Sequence, residues 1–592
     1  MKRALIVAFA LVAGFAIVSP AQQDAATDLS PVTWKADYDR FMLAQVDERT
    51  EAGVASGMNG AVTVAYNGLA ARAGLEALKQ GGNAMDAAMT TVLTQVALTA
   101  GAPISYFGIL SLVYYDAESG RVHTMNAEWN TVLGEDDPLS IPGAIDMSSP
   151  TGIYGTAVSG RTALVGGLMK GVGAAHDRFG ALPWDQIFQP AIYVAQEGMP
   201  ISHKMAGYFA NRDEDLRRLP ETRATFIKED GGAYQEGDVL RQPALATTLQ
   251  AVAEQGTDYM YGGPWAEKLV AAVQAEGGKM TMADLTGYDV IWDEPLVASV
   301  GEYEIYTNKP PNDGGVSMIQ AQRLARAANL LDDGHWTESG EALRKALDIT
   351  QMYILDFLPE ETIAQIYPSM DFANEARVTP DHAAELWGRM EAGAKPFAWV
   401  PQEPQHSDDV VVIDAAGNIA AITHSINSVM WGKTGIVIDG VTIGDPASFQ
   451  QAQVALTEPG GRLPAPTETG MLFRDGQPVL GFASMGSGLH HRTFQGLLNV
   501  MEYGMTVDEA INSPDFFSPT IDPSTFQVTA NVVAGRFPAS VLEAMGYAYV
   551  EVDPTQARLL GEGVWVAISR DPVTGELRAA SHNRNNSAAV AY

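Results

Sequence analysis

Three short stretches of this chain bring together residue types that can cleave an amide. Ser407 stands where a long polar loop meets an apolar run at residues 410–413. Ser425-Ile426-Asn427 follows the next apolar run. Gly481-Phe482-Ala483-Ser484-Met485-Gly486-Ser487-Gly488 then leads into a helical segment from Leu489. A hydroxyl fixed at the start of a strand can attack a carbonyl, and small residues at a helix start leave backbone N–H groups free to meet the oxyanion that develops. Taken alone these signals are weak, because a serine in a polar loop and a Gly-Ser run read equally well as turns. Other chemistries are missing from the sequence. There is no cysteine, hence no thiolate nucleophile, thiolate metal site or disulfide. There is no phosphate-binding loop, no HExxH pair and no G-x-S-x-G elbow. His490 and His491 are adjacent, so on a helix they point about 100° apart and do not readily share a metal; they read as partly exposed helix residues.

The elements that must position these groups read as hairpins and helices. Residues 410–413, a turn at Asp414-Ala415-Ala416-Gly417-Asn418 and residues 419–423 predict a hairpin. Its apolar run is continuous rather than alternating, which suits a strand covered on both faces inside a layered sandwich. Upstream, residues 60–66 read as a strand and 69–80 as a helix closed by Gly81-Gly82. Asn83 caps a second helix to about residue 98, and strands follow at 109–116 and 121–126. Residues 166–198, 240–277 and 338–358 are helical, with a strand at 303–307 meeting the loop Lys309-Pro310-Pro311-Asn312-Asp313-Gly314-Gly315. Further hairpins are expected at 471–482 and 564–581, residues 22–57 read as an irregular wrapping arm, and 391–407 is a proline-rich loop.

The chain has 592 residues, 46% hydrophobic and 18% charged, long enough for a sizeable core. Its formal net charge of −34 repels phosphate backbones, so nucleic-acid binding is excluded as a working class. A mean hydropathy of −0.03 excludes a polytopic membrane protein. Lys2 and Arg3 precede an apolar run at 4–18, and Ser19-Pro20-Ala21 places small residues at a cleavage site. Residues 1–21 are therefore expected to be a signal peptide, since the run falls short of the roughly 20 residues a spanning helix needs. Export to a periplasmic or secreted location follows, with no stable membrane insertion.

At the residues above, the chain resembles the γ-glutamyltranspeptidase family of N-terminal nucleophile hydrolases. Leu78-Lys79-Gln80-Gly81-Gly82-Asn83-Ala84-Met85-Asp86-Ala87-Ala88 is similar to that family's opening helix pair. Arg178-Phe179-Gly180, Leu182-Pro183-Trp184 and Gln189-Pro190-Ala191 resemble its central helical segment. Residues 306–315 resemble its Pro-Pro…Gly-Gly loop, Val411-Val412-Ile413-Asp414 with Gly417-Asn418 the start of its small subunit, and Asp571-Pro572 through Gly575 to Ala579-Ala580 its closing hairpin. The resemblance implies an α+β fold, a four-layer αββα sandwich. It implies a precursor that cuts itself between His406 and Ser407, leaving residues 22–406 as a large subunit and 407–592 as a small subunit that stay associated. Ser407 would be the nucleophile and its new α-amine the base, with Ser425 and Asn427 orienting them. The backbone N–H groups of Gly486 and Ser487 would hold the oxyanion. A small-molecule or peptide amide would be the substrate, with no cofactor and no metal.

The substrate-binding positions depart from the family. Its carboxylate-gripping arginine should precede Glu128, where Ala127 stands; its paired serines should follow Arg462, where Ala465-Pro466 stand. The acidic residue that receives the substrate amine falls at Ser448, with Asp445 close by, and Ile104-Ser105-Tyr106-Phe107-Gly108 replaces a glycine-rich run. A charge-assisted hydrogen bond contributes roughly 1.5–3 kcal/mol, so losing two or three costs roughly 10²–10⁴-fold in recognition. An apolar acyl group, as in the family's cephalosporin-acylase branch, is expected; the nearby Tyr106, Phe107 and Trp129 read either as lining its pocket or as core residues. Glutathione would need an arginine from elsewhere, such as Arg121 or Arg161. Asp408 and Asp409 replace neutral neighbours of the nucleophile. As anions they would raise the amine pKa by roughly 0.4–1.8 units and move activity toward alkaline pH. The contrasting expectation is an uncleaved, inactive relative that binds a peptide or small molecule.

Overall fold

The computed structural model describes residues 27–46, 53–143, 157–396, 407–486, 488–522, 525–554, 563–583 and 586–592. The signal segment, His406 and Ser487 lie outside the described residues. In chain order the strands that frame the site are β1 (Gly53–Gly57), β2 (Gly60–Val64), β3 (Ile109–Asp116), β4 (Arg121–Ala127), β5 (Ile291–Asp293), β6 (Leu296–Val300) and β7 (Tyr303–Thr307). They continue as β8 (Ser407–Asp414), β9 (Ile419–Ser425), β10 (Glu468–Arg474), β11 (Gln477–Met485), β12 (Val564–Arg570), β13 (Leu577–Ser581) and β14 (Ala588–Ala591). One seven-stranded sheet has the order β14-β2-β8-β9-β3-β4-β5, the other β1-β13-β12-β11-β10-β7-β6.

The continuous apolar run of β8 has the expected physical reason. Side chains alternate across a strand, so both faces must be apolar when both are covered. Val411 and Ile413 of β8, with Ile419 and Ala421 of β9 and Val113 of β3, meet Met471, Ala483, Met485, Val566 and Ile568 of the second sheet. Val410 and Val412 face the other way, into a core shared with the helices α2 (Gly68–Lys79), α3 (Ala84–Leu98), α4 (Leu168–Phe179) and α5 (Gln189–Glu197). The outer face of the second sheet, with Leu472, Leu480 and Phe482, is covered by α6 (Gly314–Ala327), α7 (Leu489–Met501) and α8 (Val507–Asn512). The result is a four-layer αββα sandwich. Each fully buried Val, Leu or Ile of these layers contributes about 1.5–3 kcal/mol of transfer free energy.

Local chemistry fixes where elements start. Asn83 caps α3 through Met85 N and Asp86 N, and Asp86 completes a capping box. Asp414 Oδ2 accepts from Ala84 N at 2.8 Å, tying the β8–β9 turn to the start of the same helix. One expectation needs correction. Residues 22–57 are not an irregular arm: among the described ones, α1 (Lys35–Ala44) packs on α2, and β1 pairs with β13. Leu29, Trp34 and Tyr38 anchor this stretch in the core, and Asp37 pairs with Arg72 at 2.7 Å. The helical stretch 240–277 is as expected and holds three helices, broken where Gly256 adopts φ +78° and again at Gly262.

Candidate active site

The β8–β9 hairpin sets the site by its register. Ser407 pairs with Ser425 and Asp409 with Thr423. Because Val411 and Ile413 point between the sheets, Ser407 and Asp409 share that face. Ser407 is half-buried and Ser425 buried. Asn427 N donates to Ser425 Oγ at 3.0 Å, and Asn427 has φ +45°, a region asparagine tolerates better than most residues. The turn after β9 is pinned from below: Ile426 N donates to Pro103 O at 3.2 Å and Trp431 N to Ala102 O at 2.9 Å. On the facing sheet, Thr423 Oγ1 reaches Ser484 O at 3.5 Å, which puts the end of β11 opposite the end of β9. Gly486 follows β11 with φ +89°, and Gly488 caps α7. Ser407, Ser425, Asn427 and Gly486 thus gather at one end of the inter-sheet space.

Asp408 and Asp409 are both fully buried, on opposite faces of β8. Asp408 Oδ1 accepts from Tyr66 N and Asp409 N, each at 2.9 Å. Asp409 Oδ1 accepts from Thr423 Oγ1 at 2.6 Å. Burial holds both carboxyls well above the usual carboxylate range, with the neighbouring Asp409 adding to the effect on Asp408. The expectation of two anions beside Ser407 is therefore corrected: desolvation outweighs the single hydrogen bond that favours ionised Asp409.

Glu128 lies just beyond β4, where Ala127 pairs with Leu110 of β3. Ser111 Oγ donates to Glu128 Oε1, and Glu128 Oε2 has no partner among the described residues. Burial pushes the Glu128 carboxyl up to about 7, against the pull of Ser111 and of the Arg462 charge. Ser111 Oγ also lies 2.7 Å from Thr467 Oγ1 and 2.9 Å from the Asn312 amide. Thr467 was not singled out in the sequence, and Asn312 only as part of the 309–315 loop; both meet Ser111 beside Glu128. The expected stand-in cations are elsewhere: Arg121 pairs with Glu294 at 2.5 Å, and Arg161 with Glu135 at 2.7 Å. The cation acting on Glu128 is Arg462, held by Asn130 Oδ1, Asn126 Oδ1, Asn126 O and Asp289 O, each at 2.6 Å. Ala127 itself is turned toward α4; a Cβ on Gly171 would lie 2.9 Å from it.

Asp445 packs beside the same turn, since a Cβ on the preceding Gly444 would lie 3.2 Å from Ile426. Its Oδ2 accepts from Lys433 N at 2.8 Å, its Oδ1 has no partner among the described residues, and burial raises its pKa. Ser448 Oγ donates to Asp445 O at 2.7 Å, so its hydroxyl serves the loop. The aromatic residues divide between the two readings, and the expected exposure of the histidines is corrected. Tyr106 and Phe107 belong to the core: Tyr106 OH donates to Leu93 O at 2.7 Å and Phe107 packs on Tyr261 and Trp265. Trp129 instead builds an apolar cluster with Ile109, Ala447 and Leu463, and Ile109 is the cross-strand neighbour of Ser425. His490 and His491 are buried rather than partly exposed, because both sides of the first turn of α7 are covered. His490 Nδ1 lies 2.6 Å from Glu468 Oε1 with Tyr353 stacked on its ring at 4.7 Å, and His491 packs edge-on to Phe517 at 5.7 Å. Among the described residues no group of three potential ligands could hold a metal ion.

A family model described as gamma-glutamyltranspeptidase matches residues 70–592. The chain is 26% identical over 571 residues to a glutathione hydrolase proenzyme of Bacillus subtilis (strain 168), covering 90% of this chain and 92% of that one. It is 27% identical over 485 residues to an acylase ACY 1 proenzyme of Pseudomonas sp. (strain V22), covering 79% and 84%. The fold is similar to a cephalosporin acylase from Bacillus halodurans, with a TM-score of 0.71, 23% identity, and 91% and 97% of the two chains covered.

Proposed function

The chain belongs to the gamma-glutamyltranspeptidase family, and from that membership we propose an exported amidase or acyltransferase that activates itself by cutting between His406 and Ser407. The observation that carries this reading is the hairpin end, where Ser407 opens a buried strand directly opposite Ser425, with Asn427 bonded to Ser425 and Gly486 at the facing strand end. In the reading, the Ser407 hydroxyl attacks the carbonyl of His406, an ester replaces the peptide bond, and water opens it. The freed α-amine, with an ordinary pKa of about 7.7–8.0, then serves as base. Ser407 attacks the substrate amide, the leaving amine departs, and water or a second amine takes the acyl group. Ser425 and Asn427 orient the nucleophile, and the N–H groups of Gly486 and Ser487 meet the oxyanion.

The related proenzymes are glutathione hydrolases and acylases, and the acyl pocket favours the second kind of substrate. Arg462 is committed to four acceptors, Ala127 faces α4, and the wall beside Ser425 is Ile109 with Trp129, Ala447 and Leu463. Among the described residues of this wall, none offers a free cation to an α-carboxylate. Asp445, whose Oδ1 is unpaired among the described residues, and Glu128 are the acceptors for a substrate amine or amide N–H, with Ser448 positioning Asp445. Intact-mass analysis tests the cut: two fragments are expected, the smaller beginning at Ser407, and Ser407→Ala should stay whole. A wild-type chain that stays whole would instead favour a binding protein. Turnover of two anilides tests the pocket. An uncharged acyl anilide should exceed the γ-glutamyl anilide in kcat/KM, and a γ-glutamyl advantage of about tenfold, equal to about 1.4 kcal/mol, would sink the pocket reading.

A further inference from the structure

Self-cleavage needs a base that the uncut chain does not yet have. Before the cut the nitrogen of Ser407 is an amide, with no basic lone pair, so the amine that serves turnover cannot take the first proton. A basic side chain near the hydroxyl can do so. We propose that Asp409 carries that proton, taking it from Ser407 Oγ, directly or through one water, and returning it to the Ser407 nitrogen as the peptide bond breaks. The inference rests on Ser407 being the nucleophile.

Three observations place Asp409 in this role. It is the next residue of β8 on the face Ser407 occupies, about 7 Å away from Cα to Cα. Its carboxyl is fully buried, with Oδ1 held by Thr423 Oγ1 at 2.6 Å and Oδ2 without a partner among the described residues. The other side chains of that corner, Ser425 and Thr423, are hydroxyls and do not ionise in a useful range. Asp408 sits on the opposite face, turned to the Tyr66 backbone.

The proton count closes. Ser407 Oγ bonds to the carbonyl carbon of residue 406 while its proton passes to the Asp409 carboxylate. The carbon–nitrogen bond then breaks, and the carboxylic acid gives the proton to the leaving nitrogen, which becomes the α-amine of Ser407. The ester left behind consumes one water. It yields a carboxylate at residue 406 and restores the serine hydroxyl, the proton released by this hydrolysis passes to the new α-amine or to solvent, and Asp409 ends as it began.

The same geometry sets the pH response. Burial raises the Asp409 pKa, and only the Thr423 hydrogen bond opposes it. The titratable groups packed around are Asp408 on the other face of β8, His424 on the other face of β9 with its pKa pushed down to about 3, and Glu128 behind Ser111 on β3. On the facing β11, Ser484 presents its carbonyl. From α3, Gln95 Nε2 reaches only the Asp409 backbone oxygen, at 3.3 Å. Processing should therefore quicken with pH until Asp409 is ionised.

The test follows the appearance of the two fragments after cell-free synthesis at low pH and a jump to pH values between about 5 and 9. Asp409→Asn should process at least about 100-fold more slowly, the usual loss when a general base is removed, while Asp408→Asn should match wild type. Thr423→Val keeps the carboxyl but removes its hydrogen bond, and should move the pH midpoint of processing upward by about half to one unit. That shift decides the matter if Asp409→Asn fails to fold, because a packing role would slow processing without moving its midpoint. The proposal is overturned if Asp409→Asn keeps within about threefold of wild type, if Asp408→Asn slows equally, or if the Thr423→Val midpoint stays put. In each of those cases the nucleophile assignment survives as long as Ser407→Ala remains uncut; fragments from Ser407→Ala would remove that assignment instead.

Discussion

Glu128 gives the site a pH signature that stability measurements can read. Its carboxyl has an ordinary pKa of 4.5 and is pushed up to about 7 in the fold. Between those values the folded chain binds more protons than the unfolded one, so stability falls as pH rises through this window and levels off above it. A raise of that size corresponds to roughly 3 kcal/mol for a fully buried acid. Glu128→Gln cannot ionise. In an uncut Ser407→Ala background its stability relative to Glu128 should therefore rise by about that amount between pH 4.5 and 7.5. Urea melts at the two ends of the window check it, and a difference that stays flat with pH would show that Glu128 is not held neutral. The residues around Glu128 also show what sequence reading reaches. Ser407, Ser425, Asn427 and Gly486 stand out as candidates in the sequence because each sits at a boundary its neighbours in the chain define. Ser111, Asn312, Thr467 and Arg462 come from separate segments and meet only when the two sheets stack, so although the 309–315 loop and Arg462 can be picked out in the sequence, their meeting at Glu128 cannot.

At the scale of elements, the site depends on how closely the loop before β3 approaches the end of β9. A Cβ on Gly108 would lie 2.3 Å from Ser425 O and 3.0 Å from Ser105 O, both backbone atoms that cannot swing aside. Gly108→Ala must therefore push the end of β9 away from β3 and shift Ser425 against Ser407 on its other edge, while the cores beyond Ile109 are untouched. The expected result is processing slowed by about tenfold or more, since misplacement of about 1 Å can cost 10²-fold, with far-UV circular dichroism unchanged. Processing at the wild-type rate would mean that the approach is looser than it looks. The β8–β9 hairpin and the Asn83 cap were readable ahead of the fold because their signals are contiguous: an apolar run, a turn, a second run, or a side chain beside the N–H groups it satisfies. The helix α1 and strand β1 were not. Their residues are polar and sparse in pattern, and they are held by distant partners, Arg72 of α2 and the strand β13.

For the whole molecule, the proposed cut falls inside an interleaved structure. In the first sheet β8 and β9 lie between β2 and β3, so strands from both sides of residue 407 are interleaved. In the second sheet β1 pairs with β13 and β7 with β10, again across that boundary. The core between the sheets draws Ala61 and Val113 from before the cut and Val411, Met471, Val566 and Ile568 from after it. Breaking one peptide bond removes none of these contacts. Separating the pieces would expose many buried side chains at about 1.5–3 kcal/mol each and strip central strands of hydrogen-bond partners on both edges, which amounts to unfolding both. The two fragments should therefore run as one species on size exclusion in native buffer, at any dilution that still allows detection. They should come apart only across the urea range in which secondary structure is lost. Circular dichroism and fragment separation measured on the same urea series would then give coincident midpoints. Fragments that part before the helical signal falls would mean that the strands on one side of Ser407 form a core of their own, and that the interleaving seen in both sheets does not hold the enzyme together.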